Sequence, residues 1–232
     1  MQVALMQPYL FPYIGYFQLI NAVDTFVLHD DVQWIKGGWI NRNQILLDGE
    51  PHLCTLPVVK KSSYDLINQC KVTDIPREKK KILGKIQSAY SNAPFFLEVM
   101  PIVKDVFSQS ENNIAKYVLY SLKKIIQYLD VPTNLVMSSE LQKDDHLKGQ
   151  SRVIEICSQI GAVLYVNPPG GVGLYDKNKF KEAGIDLYFL KSNKIQYQQS
   201  STEFVPNLSI IDVLMFNSTE SVQEILKQFT LV

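Results

Sequence analysis

The sequence predicts an α/β protein: a Rossmann-like parallel sheet of about five strands, with a β-hairpin insertion and a helical middle region. Three observations carry that expectation. Short apolar runs of strand length alternate with helical segments near both ends of the chain, the pattern of right-handed βαβ units. Between them, strand-like residues are broken by Asp48-Gly49, a favoured tight-turn pair. From Pro76 onward, apolar residues recur three and four apart, as in Ile82, Ile86 and Ala89. The expected organisation is a single domain over residues 1–232, with 33–75 as a hairpin-containing insertion and 76–130 as a helical one.

Val3 to Met6 reads as the first strand. It stops at Gln7-Pro8-Tyr9-Leu10-Phe11-Pro12-Tyr13, where proline on both sides of an aromatic turn fixes the backbone. A helix from Ile14 and a strand from Thr25 to Leu28 complete the first unit, which runs into His29-Asp30-Asp31. Trp39 to Leu47 and Pro51 to Val58 form the hairpin, and a short strand is expected near Asn68 to Val72. Helices are expected over 76–91, 94–107 and 112–129, prolines at 76 and 94 suiting a helix's first turn. Alternation then returns: strand 135–137, helix 149–160, strand 163–166, helix 177–183, strand 187–190. Two helical segments, 209–215 and 220–229, end the pattern.

Composition excludes several classes of function. Basic and acidic side chains number 23 each, so the zero net charge argues against a sequence-independent nucleic-acid surface. No apolar run approaches the roughly 20 residues that cross a bilayer, so membrane insertion is not expected. The first residues show no basic region followed by a long apolar stretch and a small-residue cleavage site, so no secretion is expected. Cys54, Cys70 and Cys157 are widely spaced without a CxxC pair. They read as reduced thiols of a cytoplasmic protein, and no metal site is assigned.

Residues able to carry chemistry collect at the expected turns. In open α/β sheets ligands sit at the carboxyl ends of strands. Asp30 and Asp31 end the second strand, where carboxylates can bind a divalent cation, act as a base or accept from sugar hydroxyls. A solvated turn is the alternative, and neighbouring strand residues face opposite ways, so at most one of the two should reach a given ligand. His29 reads as a packed or surface imidazole. Gln33 and Trp34 offer an amide and a stacking ring. Asn41-Arg42-Asn43 interrupts an apolar strand, and Arg42 suits a phosphate or carboxylate as well as it suits an exposed polar face. Lys148 and Arg152 flank an expected helix start, which favours anions, although the spacing is not that of a Walker loop. In Asn167-Pro168-Pro169-Gly170-Gly171, ahead of Tyr175, prolines stiffen the turn and glycines allow close approach to a ligand. Asp212 is accounted for as a first-turn helix charge. His29, His52 and His146 form no recognisable catalytic set.

On Gln7 to Phe17, Asp30-Asp31-Val32-Gln33-Trp34, Trp39 to Asn43, Lys148-Gly149, Asn167 to Gly171, Leu174-Tyr175-Asp176 and Phe204 to Asp212, the chain resembles the WbqC-like protein family of bacteria. His29 departs from it, standing where a tyrosine is more common. The resemblance implies work on surface polysaccharides such as the O-antigen of lipopolysaccharide, with glycine placed on an amino sugar. The expected function is therefore a transferase joining glycine or a similar acyl group to a nucleotide-linked amino sugar. Asp30, Asp31 and Tyr16 are the expected catalytic groups. Gln7, Pro8, Tyr9, Tyr13, Gln33, Trp34, Asn41, Arg42, Asn43, Asn167, Gly170, Gly171 and Tyr175 are expected around the substrate, with Lys148 and Arg152 on its phosphates. The cofactor is left open, ATP and magnesium being required where the donor must be activated. The first strand, turn and helix also look like those of nucleotidyltransferases, but Tyr13-Ile14-Gly15-Tyr16 replaces their His-x-Gly-His and so lacks the imidazoles that stabilise a transferring phosphate. Nucleotidyl transfer onto a sugar phosphate, and a non-catalytic sugar-nucleotide-binding role, are the alternatives.

Overall fold

The structure, a computed structural model, describes residues 1–59, 62, 64–73 and 75–232. Its strands are β1 Gln2–Met6, β2 Thr25–Leu28, β3 Arg42–Leu47, β4 Glu50–Thr55, β5 Val58–Val59, β6 Lys71–Val72, β7 Asn134–Met137, β8 Leu164–Asn167, β9 Asp186–Ser192 and β10 Phe229–Leu231. The helices are α1 Ile14–Asn21, α2 Pro76–Tyr90, α3 Phe96–Ser108, α4 Ile114–Tyr128, α5 Gly149–Gln159, α6 Lys177–Glu182, α7 Ile210–Phe216 and α8 Thr219–Leu226.

Six strands form one sheet in the order β10-β9-β8-β1-β2-β7. The five from β9 to β7 are parallel, in register Val3↔Thr25, Leu28↔Met137, Ala4↔Val166 and Asn167↔Phe189. Parallel strands must be covered on both faces, and the period-two alternation of β1 and β2 shows how. Val3, Leu5 and Val27 pack with Val153 and Ile156 of α5 and Phe180 of α6. Ala4, Phe26 and Leu28 turn the other way, into a larger core shared with α1, the middle helices, α7 and α8. Because the five strands run the same way, their carboxyl ends share one rim.

The hairpin is β3–β4, paired from Arg42↔Thr55 to Leu47↔Glu50. Asp48 and Gly49 close it with φ of 52° and 80°, the left-handed pair of a type I′ turn that Asp-Gly readily adopts. The expected strand near 68–72 is β6, paired with β5. Helix α3 starts at Phe96, two residues later than expected, because the chain first makes a turn in which the Ala93 amide donates to the Tyr90 carbonyl.

One element departs from expectation. The last helix ends at Leu226 instead of continuing to 229, and Phe229–Leu231 becomes a strand antiparallel to β9. The open edge of β9 supplies a partner that local sequence does not reveal. The buried Gln18 fixes that corner, donating at 2.9 Å to the carbonyls of both Ile225 and Gln228 while Ser192 Oγ donates to it at 2.5 Å.

Candidate functional site

A cleft of about 980 Å³ opens where the chain leaves the neighbouring strands β2 and β7. The residues after β2 form one wall, the 139–149 segment and the start of α5 another, and the turn at 66–69 a third. That turn is tied back by backbone bonds: Asn68 donates to the Asp30 carbonyl and Ile67 to that of Val32, each at 2.9 Å.

The two acids have different tasks. Asp30 is fully buried, and both carboxylate oxygens are taken by Ser139, from the backbone amide at 2.9 Å and the hydroxyl at 2.6 Å. It staples the end of β2 to the turn after β7. Asp31 faces the cleft floor, where its Oδ2 meets Lys143 Nζ at 2.7 Å and Arg152 Nη2 at 2.6 Å. Burial alone would raise its pKa, but Lys143, the Ser138 hydroxyl and Arg152 outweigh that and hold the carboxyl below its ordinary value. Lys143 is 3% exposed, and it also donates to the Ser138 carbonyl. His29 sits beside them, with Nε2 3.8 Å from Asp31 Oδ1. Burial lowers its pKa to about 4; Asp31 opposes the shift, and Arg152 and Lys143 add to it. The imidazole is therefore neutral at neutral pH.

Three atoms of this cluster, His29 Nε2, Asp31 Oδ1 and Arg152 Nε, are buried without a hydrogen-bond partner. Such groups cost about 1–3 kcal/mol each when left unpaired, and three of them collect here beneath the cleft. Above the floor, helix α5 begins at Gly149, whose φ of 53° suits glycine, and Lys148 at its N-cap makes no side-chain cap. The amide end of α5 thus points its dipole into the cleft beside Lys148 and Arg152.

Of the residues expected at the site, Asp31, Gln33, Lys148 and Arg152 line this cleft together. The others do not line it, and most of them have an evident structural task. Tyr16 is buried and donates to the Gln7 carbonyl at 2.8 Å, its ring packed between those of Tyr9 and Phe26. Pro8 is buried. Phe11 takes a φ of 44°, and its carbonyl accepts from Asn43 Nδ2 at 2.9 Å and Ser209 Oγ at 2.8 Å. Asn43 therefore locks the hairpin to the first turn, and Asn41 donates to the Leu56 carbonyl at 2.7 Å. Arg42 is spent on its own loop, donating to the carbonyls of Gly38 and Gly37 while lying over the Trp39 ring. Trp34 packs against the core. Tyr13 lines a separate cavity of about 470 Å³ with Gly15, the 192–197 stretch and Phe204.

The glycine loop after β8 is largely exposed, with Asn167 and Gly171 buried. Asn167 accepts from Tyr165 Oη at 3.0 Å, and a Cβ added at Gly171 would lie 1.7 Å from Asn167 Nδ2. That close approach explains Gly171, while Gly170 is exposed. Tyr175 stands edge-on to Tyr165 and Phe180. Sequence alone does not single out Lys143, Ser139, Asn68 and Gln69 for this site, and it gives His29 as a packed or surface imidazole. A lysine between Gln142 and Asp144-Asp145 has the pattern of a solvated loop; only the need of Asp31 for a cationic partner could have pointed to it.

Comparison with known proteins agrees with the motifs. The profile of the WbqC-like protein family matches residues 7–224. The chain belongs to that family. It is similar to the uncharacterized protein Rv1507c of Mycobacterium tuberculosis, 29% identical over 219 residues that cover 93% of each chain. No solved structure matches it. Among the described residues no helix is long and apolar enough to cross a membrane.

Proposed function

We propose that this WbqC-like protein is an enzyme of surface-polysaccharide sugar biosynthesis, binding a nucleotide-linked amino sugar in the β2–β7 cleft and joining glycine or a similar acyl group to its amine. The observation that carries the reading is the juxtaposition of the α5 amino end, Lys148 and Arg152 over a polar floor with unsatisfied atoms. Phosphate oxygens there would meet free backbone amides, a favourable dipole and two cations. Gln33, Asn68 and Gln69 on the facing walls offer carboxamides, which both donate to and accept from sugar hydroxyls. Asp31 acts through its neighbours, holding Arg152 and Lys143 in place. Asp30 and Tyr16 support the fold of the rim. Where the donor is a free carboxylate, ATP with magnesium on its phosphates supplies the activation.

The test is incubation of the purified protein with a panel of nucleotide-linked amino sugars, glycine, ATP and magnesium, followed by mass spectrometry. The expected result is one sugar whose mass rises by a glycyl group. Stabilisation by these sugars without turnover would replace the enzyme reading by a binding role. Release of pyrophosphate from a nucleoside triphosphate and a sugar phosphate would mark nucleotidyl transfer instead.

A further inference from the structure

We propose that His29 is the proton acceptor of this site, held by Asp31 and made basic by an anion bound at Lys148 and Arg152. The inference rests on the function proposed above and adds to it the group that takes the proton from the attacking amine.

The geometry comes first. His29 follows directly on β2 and lines the cleft, with its side chain 18% exposed. One ring nitrogen, Nε2, is buried and directed at Asp31 Oδ1, 3.8 Å away, and neither atom has another partner. The distance is long for a hydrogen bond, as catalytic contacts often are before a ligand closes a site. With the proton on Nε2 facing the carboxylate, Nδ1 is left as the ring's acceptor, on a side chain that lines the cleft. A histidine oriented by a carboxylate through one nitrogen and open at the other is the arrangement a base requires. Neither acid can take that part: Asp30 is committed to Ser139, and Asp31 to two cations.

The charges facing the imidazole then determine when it works. Asp31 lies on its own segment, Lys143 on the loop after β7, and Arg152 on α5. Asp145, 3.9 Å from Arg152, and Lys148 lie farther up the same cleft with opposite charges. Without a ligand the two cations nearest the ring outnumber the carboxylate, which together with burial disfavours a second proton on the ring. A diphosphate at Lys148 and Arg152 reverses the sign of the local field, so protonation of His29 becomes favourable only when the substrate's phosphates are seated. In the step itself, the amine lone pair forms the new C–N bond to the acyl carbon of an acyl phosphate. The N–H proton passes to Nδ1, its bonding electrons stay on nitrogen, and the acyl–oxygen bond breaks with both electrons leaving on phosphate.

The test needs no turnover. Ring signals of His29, assigned by comparison with His29→Gln, are followed by nuclear magnetic resonance from pH 3 to 9 with and without inorganic pyrophosphate. The expected result is a midpoint that rises by about one pH unit or more when pyrophosphate is bound. Pyrophosphate that binds and leaves the His29 midpoint in place overturns this inference while sparing the anion site. Failure of pyrophosphate to bind at all removes the anion site and overturns both. In Asp31→Asn the midpoint should still respond to pyrophosphate but start lower, because the carboxylate that favours the imidazolium is gone. An unchanged starting point would overturn the role given to Asp31.

Discussion

Replacing Asp31 by Asn should make the protein less stable and its anion site stronger. The carboxylate sits 2.7 Å from Lys143 and 2.6 Å from Arg152, and all three side chains are largely buried. Removing one partner of a buried pair costs about 3–5 kcal/mol, because the remaining charges lose their compensation. Asparagine keeps one oxygen as an acceptor, so a loss of about 2–4 kcal/mol is expected. For a chain of this size that lowers the thermal midpoint by roughly 5–15 °C. The pH dependence has a definite sign. Since the folded protein holds Asp31 below the ordinary value of 3.8, its contribution is complete above that value and drains away as the pH falls beneath it. The variant should lose this part of the acid sensitivity. Anion binding moves the opposite way, because the floor loses a carboxylate while Lys143 and Arg152 remain. Pyrophosphate should bind Asp31→Asn on the order of fivefold more tightly at low salt, with the gain fading as salt rises. Thermal melts with a pyrophosphate titration measure both effects. A variant as stable as the parent, or one that binds pyrophosphate more weakly, would refute the reasoning.

Substitutions at three other positions probe distinct features of the structure. Lys148 is exposed at the α5 N-cap, so Lys148→Ala should leave the melting midpoint within about 1–2 °C while weakening pyrophosphate binding several-fold, as calorimetric titration would show. Asp212 is fully buried, accepting from Tyr90 Oη at 2.9 Å, Tyr197 Oη at 2.7 Å and Gln199 Nε2 at 2.9 Å; Asp212→Ala should cost about 3–5 kcal/mol in a denaturant melt. Burial raises the pKa of Asp212 above 3.8 despite those three donors, so its ionisation takes stability away as pH rises from that value through the folded pKa, a decline that Asp212→Asn should lack. Gly171→Ala should displace Asn167 from Tyr165 and lower stability by about 1–3 kcal/mol without changing pyrophosphate affinity, since this loop stands outside the cleft.

Local signals that agree with the tertiary structure were readable in the sequence. The alternation of β1 and β2, the Asp48-Gly49 turn and the three-and-four spacing of the middle helices each specify an element by themselves. β10 depends on the edge of β9, so its Phe-Thr-Leu could be joined to the preceding helix without local contradiction. The same division holds at the site. Lys148 and Arg152 announce a charged helix start, and strand ends place Asp30 and Asp31 on the ligand rim. Sequence could not say that Asn43 and Arg42 are consumed by carbonyls of nearby turns, because a polar side chain in a loop looks alike whether it meets a ligand or a backbone. Nor could it separate Asp30 from Asp31. That distinction depends on Ser139 and Lys143, more than 100 residues later in the chain, arriving on opposite sides of the strand end.

The central claim is that phosphates of a nucleotide-linked sugar settle on the amide end of α5. Backbone amide shifts on adding a nucleoside-diphosphate amino sugar test it most directly. Gly149, Gln150 and Ser151 should move together with Asp31 and Gln33, in proportion to occupancy. Shifts confined to the Tyr13 cavity and the 192–197 stretch, with α5 silent, would contradict it.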